Sequence, residues 1–540
     1  MDQPTATASR NFFARLWPWL VVLGILLFVG FIRVRLLDMP LERDEGEYAY
    51  AGQLILQGIP PYELAYNMKL PGTYYAYAAG MALFGQTPSG IHLTLLVVNA
   101  LTIIFVFLLG RKLFGVTTGL VAGASYALMS VSTAVLGMAT HATQFVVLFA
   151  VPGTLLMWRA LESGKRRAIF FSGLLYGLAF VMIQQGIFFG IFGVLVLLWR
   201  ARAEASTASA SLKQIFIFLL GAGLPFGALC LYLAGMGIFP QFWFWTFSYA
   251  RAYAMNTSPG EGLGYLLDYL RDQFAFFVGF WILAAAGLLA ALRHPANRKQ
   301  ISFAVLFLFF SILGTIPGLN FRPHYFVLAL PAFTLVIGIA IQFLQSSFSR
   351  RMKIIPVILF VAVIAWGVYL QRGAFFELPP PVLNQVIYKS NPFVESVTAA
   401  KYIREHSPPD ARIAVIGSEP QIYFYARRHS ATGYIYTYPL MENQPYAPMM
   451  QRQMIREIES SKPEFLVMVV NRYSWMLNKF SDVEILDWAQ KYAATNYDRI
   501  GILEFPLGKP EIQLWGDDAK NYRGTLKQHL DIYQRKPDAR

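Results

Sequence analysis

The chain has 540 residues, of which 56% are hydrophobic and only 14% charged, against about 25% charged in ordinary soluble domains. That composition excludes a wholly water-soluble protein and assigns most of the chain to a membrane. The net charge of +14 is not a nucleic-acid signal, because residues 1–376 hold 25 Lys/Arg against 12 Asp/Glu while 377–540 hold 20 against 19.

The first apolar run, 17–36, follows Arg10 and Arg15, exceeds a signal-peptide core and shows no small-residue cleavage site before Asp38, so it is expected to be an uncleaved span. Further runs of spanning length fall at 91–110, 115–134, 139–158, 168–184, 186–199, 214–234, 273–292, 301–316, 325–345 and 354–371, which makes eleven. The 168–199 stretch is too long for one ordinary span, and Gln184-Gln185-Gly186 supplies a turn that divides it. Cys230, the single cysteine, lies in an apolar run, which excludes an intrachain disulfide and thiolate metal or CxxC redox chemistry.

Cytoplasmic connections are enriched in Lys and Arg. With the N-terminus inside, the loops predicted as cytoplasmic hold 17 of the 25 basic residues and 3 acids, and the outer side keeps 8 and 9. A merged 168–199 span would reverse this assignment. Arg33 and Arg35, at the outer end of the first span, run against the trend. The expected product is a multi-pass cell-membrane protein with a cytoplasmic N-terminus.

Two outer segments exceed turns. In 37–90, Asp44-Glu45-Gly46-Glu47-Tyr48 opens a helical pattern that stops at Gly58-Ile59-Pro60-Pro61, and Asp44 with Glu47 has capping-box spacing. Residues 235–272, with Trp243, Trp245, Tyr249 and Tyr253, suit a headgroup-level segment. After Pro379-Pro380-Pro381 the pattern alternates. Helices are expected near 393–406, 419–428, 446–460 and 482–495, with strands at 411–416, 465–470, 499–505 and 511–515. The domain organisation is therefore a helical membrane domain over 1–376, with the active site on its first outer loop, and an extracytoplasmic α/β domain over 377–540.

Ionisable residues at the membrane boundary mark function. Here Asp44, Glu45, Glu47 and Lys69 share the first outer loop, Arg322 and His324 follow the span at 301–316, and His141 with Gln144 opens the span at 139–158. Singly, each has an ordinary reading: a helix cap, a snorkelling cation, a satisfied buried histidine. Their convergence on one predicted face suits a reaction that uses one base and several anion-stabilising cations.

The run Asp44-Glu45-Gly46-Glu47-Tyr48-Ala49-Tyr50, then Gln57-Gly58-Ile59-Pro60-Pro61-Tyr62 and Lys69-Leu70-Pro71-Gly72, resembles the first outer loop of the dolichyl-phosphate-mannose protein mannosyltransferase family. This is glycosyltransferase family 39 of the GT-C superfamily, whose bacterial relatives include transferases that modify lipid A. Weaker likeness extends through Arg322-Pro323-His324-Tyr325 and Ile413-Ala414-Val415-Ile416-Gly417-Ser418-Glu419-Pro420. The resemblance implies a GT-C-like fold, a sugar donor on a polyprenyl phosphate, Asp44 as catalytic base beside Glu45, and Lys69, Arg322 and His324 as ligands of the donor phosphate. Glu47, Tyr62, His141 and Gln144 are candidates for substrate contact. Two positions depart from the pattern: Gln144 stands where many bacterial relatives have Glu, and Leu70 where Pro is usual.

The residues point the same way independently. Nucleotide sugars are cytoplasmic, so an outward-facing transferase needs a donor delivered through the bilayer, and phosphate leaves as an anion that needs cations rather than a proton. A single displacement inverts the anomeric centre, and no cytoplasmic Gly-rich phosphate loop appears. The expected partners are a lipid-linked sugar donor (mannose or another hexose or pentose), a protein, lipid or polysaccharide acceptor, and membrane lipid, with no nucleic acid. No metal or other cofactor is assigned. The alternative reading is a transporter or flippase of lipid-linked sugars, which would show matched broken helices and internal repeats; neither is visible in the sequence.

Overall fold

The structure is a computed structural model and describes residues 5–205, 207–293, 297–505, 511–523 and 528–537. Residues 206 and 294–296, within two predicted cytoplasmic loops, lie outside the described residues. The chain forms two compact units. The first comprises Met1–Leu36, Leu95–Leu229 and Pro259–Leu378, and the second Leu37–Thr94, Cys230–Ser258 and Pro379–Arg540.

Every apolar run expected to span is helical: Thr5–Arg35, Pro88–Phe114, Val116–Ser130, Ala142–Ser163, Arg166–Met182, Ile187–Ala203, Ala208–Gly235, Pro259–Arg293, Arg298–Leu313, Leu330–Ser347 and Ile355–Leu370. Among the described residues, seven helices are long and apolar enough to cross a bilayer by themselves, while Val116–Ser130 and Ile355–Leu370 are shorter apolar helices. The molecule is thus a helical multi-pass membrane protein with a small sheet domain.

The division at 184–186 is real. Ile183 is extended (φ −159°, ψ 150°) and a single 3₁₀ turn, Gln184–Gly186, follows. The chain folds back on itself there, because Tyr176 lies 6.4 and 6.5 Å from the rings of Phe189 and Phe192, residues that a continuous helix would place about 20 Å away. Helices Arg166–Met182 and Ala208–Gly235 touch backbone to backbone: a Cβ on Gly173 would collide with the Phe218 carbonyl, and one on Gly221 with that of Phe170.

The two arginines that run against the charge trend have structural employment. Arg33 is buried and donates to Asn99 Oδ1 (3.1 Å), Gly137 O (3.2 Å) and Ser130 O (3.4 Å). It thereby ties down the connection that leads into His141. Arg35 donates to the carbonyls of Phe375 (2.8 Å), Leu378 (2.8 Å) and Ala374 (2.6 Å). Irregular backbone at membrane level needs such donors, since no water is available to satisfy it.

In the second unit six strands form one sheet: β1 Arg412–Ile416, β2 His429–Ser430, β3 Phe465–Val470, β4 Tyr497–Glu504, β5 Ile512–Trp515 and β6 His529–Arg535, in the order β2-β1-β3-β6-β4-β5. β1 runs parallel to β2 and β3, and β6 is antiparallel to both β3 and β4. The sequence pattern finds β1, β3, β4 and β5 but misses β2, the Pro380–Tyr388 helix and β6, which is the strand that joins the two halves of the sheet. β6 reads His-Leu-Asp-Ile-Tyr-Gln-Arg, and its buried Asp531 and Arg535 hide the alternation of Leu530 and Ile532.

The outer-loop helix Arg43–Leu56 packs on Gln421–Ala426 in the same unit. Gly46 makes this fit, because a Cβ there would lie 2.6 Å from Gln421 Cβ. The expected cap at Asp44 is corrected: the N-cap is Glu42, whose side chain accepts from Glu45 N (2.9 Å) while Glu45 Oε2 accepts from Glu42 N (3.4 Å). The spacing of three is right, but the helix starts earlier. Asp44 and Glu47 consequently fall in the first turns with their carboxylates released from capping.

Candidate active site

On a helix, residues three apart share a face, and Asp44 and Glu47 present theirs to Lys69. Lys69 Nζ lies 2.8 Å from Asp44 Oδ1 and 2.8 Å from Glu47 Oε2. The lysine is placed by the segment ahead of helix Gly72–Phe84: Tyr62, buried and with positive φ (66°), donates to the Lys69 carbonyl at 2.7 Å. Its ammonium lies 4.5 Å from the ring centre of Tyr48, one turn on from Asp44. Two tyrosines complete the cluster. Tyr74 Oη donates to Glu47 Oε1 (2.6 Å), and Tyr436 Oη, from the segment after β2, donates to Asp44 Oδ1 (2.9 Å).

The two carboxylates are not equivalent. Glu47 has a side chain 1% exposed, whereas that of Asp44 is 22% exposed. Burial pushes the Glu47 carboxyl above its ordinary range, against the opposing pull of Lys69 and Tyr74. Burial works to lower the Lys69 ammonium, but the charges of Asp44 and Glu47 outweigh it and hold the group well above the usual lysine range. The lysine's side of the ion pair is therefore intact below pH 10.5, the ordinary lysine value, and weakens at higher pH, while protonation of Glu47, pushed up by burial, weakens the pair from the acid side. Asp44 is the carboxylate with access to a ligand, and Glu47 balances the buried charge. The pair also supplies the hard oxygen donors a divalent cation would use, with Lys69 Nζ standing between them.

Glu45 faces the other way. Fully buried, it closes the cap with Glu42 and lies 3.2 Å from His92 Nε2, and the other ring nitrogen of His92 is 2.7 Å from the Leu37 carbonyl. Arg43 donates to Glu419 Oε1 (2.9 Å), Asn391 Oδ1 (3.1 Å) and the Ser418 carbonyl, and Ser474 Oγ donates to Glu419 Oε2 at 2.7 Å. This network locks the start of the Asp44 helix to the turn after β1. Sequence reasoning missed Tyr74, Tyr436 and His92. Tyr436 lies in Tyr434-Ile435-Tyr436-Thr437-Tyr438, where nothing distinguishes it from its neighbours.

The first unit holds the other expected site residues. His141 caps the Ala142–Ser163 helix, and its ring stacks on that of His324 at 4.0 Å and 12°. Thr143 Oγ1 donates to the His324 carbonyl at 2.9 Å and so fixes the Pro323–Leu328 turn. Arg322 is exposed and stands just before that turn. Gln144, completely buried, has no hydrogen-bond partner for either amide atom among the described residues. The two stacked imidazoles offer ring nitrogens suited to a metal, and His324 with Arg322 offers groups suited to a phosphate.

Comparison with known proteins bears out the resemblance read from the residues. Residues 69–240 match the family model of the dolichyl-phosphate-mannose-protein mannosyltransferases. The match begins at Lys69, so it includes the Lys-Leu-Pro-Gly element and leaves Asp44 outside. An undecaprenyl phosphate-alpha-4-amino-4-deoxy-L-arabinose arabinosyl transferase of Pseudomonas aeruginosa is 32% identical over 172 residues, which is 29% of this chain and 31% of the relative. The match thus spans about a third of that protein's length. Among solved structures, ArnT from Cupriavidus metallidurans bound to undecaprenyl phosphate has a TM-score of 0.59 at 13% identity, covering 95% of this chain and 98% of that one. The Archaeoglobus fulgidus oligosaccharyltransferase has a TM-score of 0.53 at 12% identity, covering 94% and 75%. At these identities the likeness is one of fold.

Proposed function

We infer that this chain, a GT-C-like membrane protein whose residues 69–240 carry the protein mannosyltransferase signature, is a glycosyltransferase that moves a sugar from a polyprenyl phosphate to an acceptor hydroxyl on the extracytoplasmic side of the cell membrane. The observation that carries the chemistry is the partly open Asp44 carboxylate, fixed on one oxygen by both Lys69 and Tyr436. In the proposed reaction the acceptor oxygen attacks the anomeric carbon and gives its proton to Asp44. The bond from that carbon to the phosphate oxygen breaks, and the polyprenyl phosphate departs with the electron pair. One displacement inverts the centre.

Lys69 orients Asp44 and supplies positive charge for the departing phosphate, and Arg322 with His324 are the other cations proposed for it. Glu47 and Glu45 act through others, Glu47 by holding Lys69 and Glu45 by closing the helix cap. Tyr62 places Lys69. His141 and Gln144 are proposed to contact the sugar. Mannose, another hexose and a pentose all remain within this reading, and the named relatives handle an aminopentose.

The test uses purified protein, a panel of radiolabelled polyprenyl-phosphate sugars and a membrane extract. The expected outcome is label covalently transferred to an acceptor. Label that crosses a vesicle bilayer while still on its lipid, with no transfer for any donor, would replace this reading with transport.

A further inference from the structure

One surface of the second unit is left unexplained by sugar transfer. Between β3 and the Glu484–Asn496 helix, the loop 471–483 exposes Tyr473, Met476, Leu477, Phe480 and Val483, with Leu477 50% and Phe480 60% open, and Met449 lies exposed on the neighbouring Ala447–Ser461 helix. Burial of such side chains is favourable, so a soluble surface gains nothing by presenting them. The loop is well tied. Asn478 Nδ2 and Ser481 Oγ both donate to the Met441 carbonyl (2.9 and 2.7 Å), Asn478 Oδ1 accepts from Phe480 N (2.8 Å), and buried Trp475 donates to the Val469 carbonyl (2.9 Å). These hydrogen bonds hold the loop's shape while its large apolar side chains stay exposed beside Arg472 and Lys479.

Two further observations identify the occupant. Arg472 and Lys479 flank the apolar residues, with Lys479 Nζ 4.9 Å from the Phe480 ring centre; Asp482, the acid of the loop, is engaged as acceptor for Glu484 N at 3.0 Å. Apolar side chains interleaved with cations are the composition that settles among anionic headgroups. The loop is also continuous with the aromatic segment that the sequence assigns to headgroup level. Met441 carries the loop's two anchoring bonds, and the next residue, Glu442, accepts from Tyr249 Oη at 2.6 Å. Tyr249 belongs to the Phe239–Ala254 stretch, which exposes Trp243 (48%) and Arg251.

We propose that the 471–483 loop inserts Leu477 and Phe480 into the headgroup and upper acyl region of an anionic bilayer, so that the α/β domain is anchored to the membrane surface as well as through the chain. This goes beyond the transferase reading and does not depend on it. The test is made on the full chain in nanodiscs of phosphatidylethanolamine and phosphatidylglycerol, in a Cys230→Ser background. A bimane label is placed at Leu477→Cys or Phe480→Cys, with Lys491→Cys on the Glu484–Asn496 helix as the aqueous control. Replacing the lipids by acyl-chain-brominated ones is expected to cut emission at 477 and 480 by about twofold or more and to leave 491 unchanged. Equal emission changes at all three positions, in protein that melts like its parent, would overturn the proposal. So would protection of the label that persists in detergent and grows with protein concentration, the signature of a second copy covering the loop.

Discussion

The carboxylate–lysine cluster of the second unit and the imidazole–amide cluster of the first solve the problem of buried polarity in opposite ways. Around Asp44 and Glu47 the strong groups have protein partners: one ammonium and two phenols meet two carboxylates at 2.6–2.9 Å. At Gln144 a complete amide is removed from water with no partner among the described residues. An unsatisfied buried amide costs about 1–3 kcal/mol, so a fold keeps one where a ligand supplies the missing bonds. In the proposed reading the first cluster holds a reactive group still and the second receives the sugar.

Substitutions sharpen this contrast, and the largest effect is expected at Lys69. Lys69→Ala leaves the Glu47 charge buried and should destabilise the protein by about 3–5 kcal/mol, read as a fall in melting temperature alongside loss of turnover. Adding Glu47→Gln removes the orphaned charge and should restore most of the stability without restoring turnover. A Lys69→Ala protein as stable as wild type would show the cluster is not closed as described. At Gln144 the signs should separate. Gln144→Leu removes an unsatisfied amide and should raise stability by about 1–3 kcal/mol while weakening donor binding in a titration; a loss of both would make the amide structural. The smallest effect is expected at Tyr436→Phe, which removes one bond to Asp44 and should slow transfer about tenfold, or about 1.4 kcal/mol, with little change in melting temperature. An unchanged rate would remove Tyr436 from the site.

What the sequence made visible follows from which signals are local. The apolar helices and strands β1, β3, β4 and β5 rest on runs of apolar residues, the turn at 184–186 on the polar break between two such runs, and each was legible. The pairing of Asp44 and Glu47 with Lys69 was legible as chemistry but not as geometry: a spacing of three fits both Glu42/Glu45 and Asp44/Glu47, and spacing alone does not say which pair caps. Tyr436 and Tyr74 were invisible because tyrosine is common in this chain and their roles depend on contacts across 392 and 27 residues. β6 escaped because its inward Asp531 and Arg535 break the apolar pattern of a central strand.

The central claim is that Asp44 takes the acceptor proton. Single-turnover transfer from a saturating polyprenyl-phosphate sugar, compared between wild type and Asp44→Asn, tests it most directly. The account predicts that Asp44→Asn melts like wild type and still binds the donor but transfers about 10²–10⁴-fold more slowly. Equal transfer by the two proteins would contradict it.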